Sequence, residues 1–243
     1  MNRKKLLKGL LLAGMVLLWT SAGYGEEKKL SDVAELSYVN TGGNTDVTSV
    51  SFNNALKYVP SKKASVLWKI GHLQAKTSGA VTARTYSSDL RGDYKLSDKS
   101  YTYGIASWLK DKFAGLDSRY SLGAGAGYHL LNGPKHILDS EAGLNWTKEE
   151  RTDGTDDNYP GGRLFAAYGY NLNDKNKFLQ TLEYLHDFDN SDNYLANSET
   201  SLISALDGNL SLKTSYVVKY DNKPATGKKD TDTALTVTLV VNM

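Results

Sequence analysis

The residues able to do chemistry are few and scattered. No cysteine occurs, which excludes a thiolate metal site, a cysteine nucleophile, a disulfide scaffold and a lipid-modified N-terminal cysteine. The four histidines, His72, His129, His136 and His186, show no metal-ligand spacing. The most reactive-looking cluster is His186-Asp187-Phe188-Asp189. An imidazole beside a carboxylate at the rim of a strand can orient and deprotonate a water, as a barrel-embedded hydrolase would require. The same residues also read as rim polarity followed by turn-forming aspartates, and that plainer reading is preferred. Serines are plentiful, but nothing pairs one with a His and a third orienting group.

Two further clusters invite a ligand. Asp153, Asp156, Asp157 and Asn158 offer oxygen donors of the kind Ca²⁺ prefers. Their spacing lacks the terminal Glu of an EF-hand loop, so they read as a solvated acidic loop, open to weak contact with the divalent ions that bridge lipopolysaccharide. Gly123, Gly125 and Gly127 are spaced by two. A phosphate-binding glycine loop must lead into a helix whose N-terminus receives the phosphate. Here the strand pattern continues, and the three glycines instead make room on one face for large neighbouring side chains. The expectation is no catalytic residue, no cofactor and no metal.

The elements that must position these residues are all strands. Past Leu30 no stretch carries apolar residues at helical spacing, whereas period-two alternation recurs between turn clusters. In 120–130, Tyr120, Leu122, Ala124, Ala126, Tyr128 and Leu130 share one face, and Ser121, the three glycines and His129 the other. In 86–96, Tyr86, Leu90, Tyr94 and Leu96 oppose Asp89, Arg91, Asp93 and Lys95; in 210–220, Leu210, Leu212, Tyr216, Val218 and Tyr220 oppose Ser211, Lys213, Ser215, Val217 and Lys219. Extending this reading predicts strands over 33–39, 46–59, 63–74, 84–96, 101–110, 118–130, 136–147, 161–172, 177–187, 194–206, 210–220 and 231–243. Many approach or exceed the ~9–11 residues a tilted strand needs to cross a bilayer. Tight turns such as 60–62, 97–100, 131–135, 173–176 and 207–209 alternate with longer polar connections at 75–83, 111–117, 148–160, 188–193 and 221–230, after a short first one at 40–45. This is the pattern of an up-and-down outer-membrane barrel, all-β and of about twelve antiparallel transmembrane strands. An even strand number puts both termini on one side. Alternation continues through Leu235, Val237, Leu239 and Val241 to Met243, as expected of a last strand closing on the first.

Composition agrees. The 243 residues hold 16 Tyr against 5 Phe, an excess of rings with one polar end that suits two membrane interfaces. Tyr120 and Tyr128, eight residues apart, are separated by roughly 26 Å along a strand. Tyr101, Tyr103, Tyr168, Tyr170, Tyr184, Tyr216 and Tyr220 are assigned to the same girdles. A negative mean hydropathy excludes a bundle of membrane helices. Residues 1–25 have a basic start (Arg3, Lys4, Lys5, Lys8), a short apolar run over 9–19 and small residues after it. They predict a secretory signal peptide cleaved after Ala22 or Gly25, leaving 26–243 as the barrel domain. The formal charge of +2 becomes −2 without that segment, because four bases and no acids leave with it. The hint of nucleic-acid binding in a basic chain goes too.

With the strands placed, the sequence resembles the salt-induced outer-membrane proteins of Gram-negative bacteria, a family of unknown function. The resemblance rests on Thr41-Gly42-Gly43-Asn44-Thr45-Asp46, on Asp111-Lys112-Phe113-Ala114-Gly115-Leu116-Asp117-Ser118-Arg119 running into Gly123-Ala124-Gly125-Ala126-Gly127-Tyr128, and on the Tyr-rich end of the chain. It implies an outer-membrane barrel and assigns no catalytic residue. With the apolar faces toward lipid, the lumen receives Lys69, Asp89, Arg91, Asp93, Lys95, Lys110, Asp139, Glu141, Arg163, Glu183, Glu199, Lys213 and Lys219. So balanced a set favours salt bridges over the single sign of charge that lines a selective pore. The expected function is a non-enzymatic narrow channel or structural envelope component tied to salt stress; the alternative is a hydrolase at the His186/Asp187 rim. Expected surroundings are outer-membrane lipid and lipopolysaccharide, with the barrel-assembly machinery as partner during biogenesis, no nucleic acid, and a monomeric state.

Overall fold

The computed structural model describes residues 29–41 and 47–243. The predicted signal segment and most of the first family motif lie outside them. Twelve strands follow in order: β1 (Leu30–Thr41), β2 (Val47–Ser61), β3 (Ala64–Thr77), β4 (Ala80–Lys95), β5 (Ser100–Asp111), β6 (Leu116–Asn132), β7 (His136–Arg151), β8 (Asp156–Asn171), β9 (Asn176–Asp187), β10 (Tyr194–Asp207), β11 (Leu210–Asp221) and β12 (Thr231–Asn242). Each pairs antiparallel with its sequence neighbours, and β1 pairs with β12 to close the barrel. All twelve predicted strands are found.

Turn chemistry sets the hairpins. Between β3 and β4, Ser78 (φ 49°) and Gly79 (φ 79°) form a two-residue turn with both central residues left-handed, whose twist matches that of the flanking strands. Elsewhere short side chains accept from the backbone two and three residues on: Ser97 Oγ from the amides of Lys99 and Ser100, Asn173 Oδ1 from Lys175 and Asn176, Asp111 Oδ1 from Phe113 and Ala114. One end of the barrel, the turn end, carries the connections 62–63, 96–99, 133–135, 172–175 and 208–209 and both ends of the described chain. There Met243 N donates to Asp32 O (2.8 Å). The opposite, loop end carries the others, including 188–193 and 222–230.

Three predicted loops are corrected. Residues 75–83 and 148–160 are mostly strand, and 111–117 gives Asp111, Leu116 and Asp117 to strands, leaving connections of 78–79, 112–115 and 152–155. Their polar residues suggested loop, yet they continue the alternation: Thr147 and Glu149 are buried inside while Lys148 points out. Strands of 12–17 residues rise beyond an apolar band ~25 Å tall, and past that band an outward residue need not be apolar.

The outer surface is apolar where soluble proteins are polar. Leu36, Leu122, Leu144, Leu164, Leu182, Leu202 and Leu235 are all exposed. Tyr58, Tyr94 and Tyr128 stand toward the turn end, and Tyr38, Tyr86, Tyr120 and Tyr184 toward the loop end, giving the two aromatic girdles of a membrane barrel. Stacked pairs reinforce them, His72 on Tyr86 (4.6 Å) and His136 on Tyr170 (4.7 Å). Tyr101 and Tyr103 do not belong to these girdles. They are 8% and 5% exposed and point into the lumen.

Candidate functional site

The lumen holds the buried chemistry. At the turn end, Glu141 of β7 accepts from Arg91 of β4 (Nη2, 2.7 Å; Nη1, 3.1 Å), from Arg163 of β8 (Nη1, 2.7 Å) and from the Tyr101 hydroxyl of β5 (2.7 Å). Arg91 also holds Asp93 (2.6 Å), and Arg163 holds Glu183 (2.7 Å). The Tyr103 ring lies between the two guanidinium groups, at 4.6 and 5.5 Å, where its face adds cation–π attraction. His129 Nδ1 and Asp139 Oδ1 (2.6 Å) stand beside Tyr101. A buried charge persists only when paired and hydrogen-bonded, and this network pairs each of its charges.

The glycines explain how so many large groups fit. A Cβ on Gly127 would strike the Tyr101 ring, and one on Gly125 would lie 2.7 Å from the Tyr103 hydroxyl. Gly143 of β7 faces the same hydroxyl. The predicted space-making role of Gly123, Gly125 and Gly127 is thus what the structure shows.

Past Tyr103, Arg163 and Phe165 the filling stops, and a cavity of about 1820 Å³ occupies the loop-end part of the lumen. A second network lines it: Glu149 accepts from Arg119 (Nε, 2.8 Å) and the Tyr159 hydroxyl (2.8 Å), and Thr85 donates to Asp111 (2.9 Å). Sequence reasoning missed Tyr101, Tyr103, Tyr159 and Arg119. Rings were assigned to lipid interfaces, and only alternation with a neighbouring Gly-rich strand hinted that some face inward. A third cluster joins β10, β11 and β1, where Lys213 Nζ contacts Glu199 (3.1 Å) and Glu35 (3.3 Å).

Of the residues predicted to line the lumen, Lys110 does not. The inward row of β5 is Tyr101, Tyr103, Ile105, Ser107, Leu109 and Asp111, so Lys110 points outward and pairs with Asp117 (3.1 Å). The rule that apolar residues face lipid inverts on this strand because its aromatics pack against the inner network. Lys95 sits half-exposed at the turn-end rim with Asp98 (3.2 Å).

His186 and Asp187 are not brought together. Consecutive residues of a strand point to opposite faces. His186 turns outward, stacked on Tyr184 (6.0 Å) and near Phe188. Asp187 is buried inside, where it accepts from the amides of Asp189 (2.8 Å) and Asn190 (3.1 Å) and from Asn193 Nδ2 (2.9 Å). The carboxylate thus caps the 188–193 turn. Asp153 accepts from the Thr155 hydroxyl (2.6 Å) and amide (3.0 Å), which hold its carboxyl below the ordinary range. Asp156, Asp157 and Asn158 lie in β8. Among the described residues no group of three or more His, Asp or Glu is placed to hold a metal ion.

Comparison with known proteins agrees with the fold. The family model described as "Protein of unknown function, DUF481" matches residues 34–243. The uncharacterized protein YdiY of Escherichia coli (strain K12) is 30% identical over 208 residues, which is 85% of this chain and 80% of that one. The translocator domain of the autotransporter NalP from Neisseria meningitidis is similar at a TM-score of 0.53 and 14% identity, over 89% of this chain and 88% of that chain. An outer membrane channel from Pseudomonas putida F1 is similar at 0.51 and 12% identity, over 88% and 95%. At these identities the two structures speak to fold alone.

Proposed function

The chain belongs to the DUF481 family of proteins of unknown function, and from that membership and its filled lumen we propose that it is a non-enzymatic outer-membrane barrel acting as a narrow, gated channel. The observation that carries this reading is Glu141 bridging Arg91 and Arg163 beneath an open cavity. Among the described residues the constriction consists of side chains and not of a folded plug domain, so rotamer changes in a few residues suffice to connect the cavity with the turn end. Constrictions of this kind are how pores gate and select. In this reading residues 1–25 are an export signal, lipid and lipopolysaccharide surround the barrel, the assembly machinery inserts it, and the channel works as a monomer. The tie to salt stress comes from the family resemblance; exposed loop-end pairs such as Lys112–Asp117 (3.1 Å) are of the kind that ionic strength screens.

A structural envelope role is the second reading, and the same turn-end filling favours it. A hydrolase is disfavoured by the opposite directions of His186 and Asp187. Planar-bilayer recording of the refolded protein separates the readings. Small, discrete openings that grow when Arg91 is replaced by Ser support the channel. Complete silence of both proteins leaves the structural role, and hydrolysis of a lipid or peptide that is lost in His186→Ala would restore the enzyme.

A further inference from the structure

Eleven of the twelve strand pairings run along most of their strands, and the one that closes the barrel does not. β1 and β12 pair only from Asp32 opposite Met243 to Leu36 opposite Leu239. On its other side β1 pairs with β2 from Leu30 to Thr41, and β12 pairs with β11 from Val241 back to Thr231. Toward the loop end both strands therefore continue, each held on one side only. Among the described residues the last link between them is the Ser37 hydroxyl, which donates to Val237 O (2.9 Å). The lips of the gap carry Leu36, Tyr38, Leu235 and Val237, exposed by 55%, 65%, 68% and 52%, so the gap opens in the lipid-facing band. Unpaired strand edges are costly there unless water or a ligand meets them.

Behind the gap lies the lumenal cavity, which reaches Val33 and Glu35 in the paired part of β1 and Asp232 and Thr233 in the part of β12 that β1 leaves unpaired. Its wall next to β1 carries Val47, Ala75, Val81 and Ala83 toward the loop end and Asn53, Lys69 and Asp89 nearer mid-barrel, whereas Arg119, Arg163, Tyr103, Tyr159 and Phe165 stand on the far strands. Axial routes are narrowed at both ends. Glu141 and its partners fill the turn end, and the 222–230 connection crosses the loop end, where Lys228 Nζ donates to Phe113 O. A polar handle sits on the seam side. Glu199, 7% exposed and lining the cavity, uses Oε1 for Lys213 and Ser201, while its Oε2 is buried with no hydrogen-bond partner. Lys213 in turn reaches Glu35 on β1.

We infer that the β1–β12 gap is a lateral portal through which a single-chain, uncharged, hydroxyl-bearing amphiphile of the monoacylglycerol type passes between the bilayer and the lumen. Its tail lies along the Val33, Ala75 and Ala83 wall, and a head-group hydroxyl donates to Glu199 Oε2. The absence of native cysteines makes the portal lockable. Ser37 and Thr238 are the next partners that the Leu36↔Leu239 register would make, and both are buried on the inner face. The double variant S37C/T238C, reconstituted in vesicles with a diazirine-tailed monoacylglycerol, is irradiated under oxidising and reducing conditions. Reduced protein is expected to be labelled on lumenal residues such as Ala75 and Ala83. Oxidised protein should lose that labelling and keep the labels on Leu144 and Leu164. Equal lumenal labelling in both states, or none in either, overturns the portal. Stronger lumenal labelling by a diazirine-tailed fatty acid, whose carboxylate Glu199 repels, overturns the assigned head group. Should the cysteines fail to pair, amide exchange on the unmodified protein decides. Fast exchange of alternate amides over 231–238, those turned away from β11, supports the gap, and protection of both alternate sets through 231–238 sinks it.

Discussion

Replacing Glu141 by Gln keeps the volume of the side chain and removes the charge that holds the turn-end network. Arg91 and Arg163 would then confront each other across an amide, having both been within 3.1 Å of one carboxylate. Two unit charges about 5 Å apart at an effective dielectric constant of about 20 repel by about 3 kcal/mol. Removing one partner from a buried ion pair costs about 3–5 kcal/mol. Asp93 and Glu183 remain to hold the guanidinium groups, so the lower end, about 3 kcal/mol, is expected. Urea titration of the protein in lipid vesicles reads that loss. Bilayer recording should show larger or more frequent openings in Glu141→Gln, because the Tyr101 hydroxyl loses its carboxylate acceptor and Arg91 and Arg163 lose the anchor they share across the lumen. Adding Arg163→Gln removes the repulsion and should restore most of the stability. A Glu141→Gln protein as stable and as silent as its parent would refute the reasoning, since the carboxylate would then be neither a structural nor a conducting constraint.

Gly127→Ala places a methyl group against the Tyr101 ring and should cost about 1–3 kcal/mol in the same titration. Gly104→Ala, with nothing within 4 Å of its added Cβ, should leave stability unchanged within about 0.5 kcal/mol. Leu144→Arg, on an outward residue 67% exposed in the apolar band, should lose about 2–4 kcal/mol of folding free energy in bilayers. Asp187→Ala removes three hydrogen bonds to a buried carboxylate and should open the 188–193 turn to protease. His186→Ala, which removes outward ring contacts and the hydrogen bond with the Tyr184 hydroxyl (3.3 Å), should leave both that turn and the conductance as they are.

Strand positions, their number and most of their faces were legible in the sequence, because a half-buried strand records its two environments in alternate residues. Gly123, Gly125 and Gly127 could be assigned to space-making for the same reason: three glycines at period two must share a face. The signal stopped wherever alternation lost its apolar partner. Residues 148–151 and 156–160 read as loop because strand above the membrane is polar on both sides. Tyr101 and Tyr103 read as interface rings because a tyrosine's composition is the same whether its wet end meets water or a carboxylate. Lys110 was placed inside by that same inversion.

The sequence by itself determined an all-β barrel of twelve strands, its membrane-facing surface and the absence of thiol chemistry, all properties that depend on residue type and short-range period. Only the tertiary structure decided which charges meet. Glu141 finds Arg91 fifty residues before it and Arg163 twenty-two after it, pairings fixed by strand tilt and stagger and not by any local pattern. Closure of the barrel likewise left β1 and β12 joined over only part of their length. Closure joins the first strand to the twelfth, and no neighbouring turn sets the register between them.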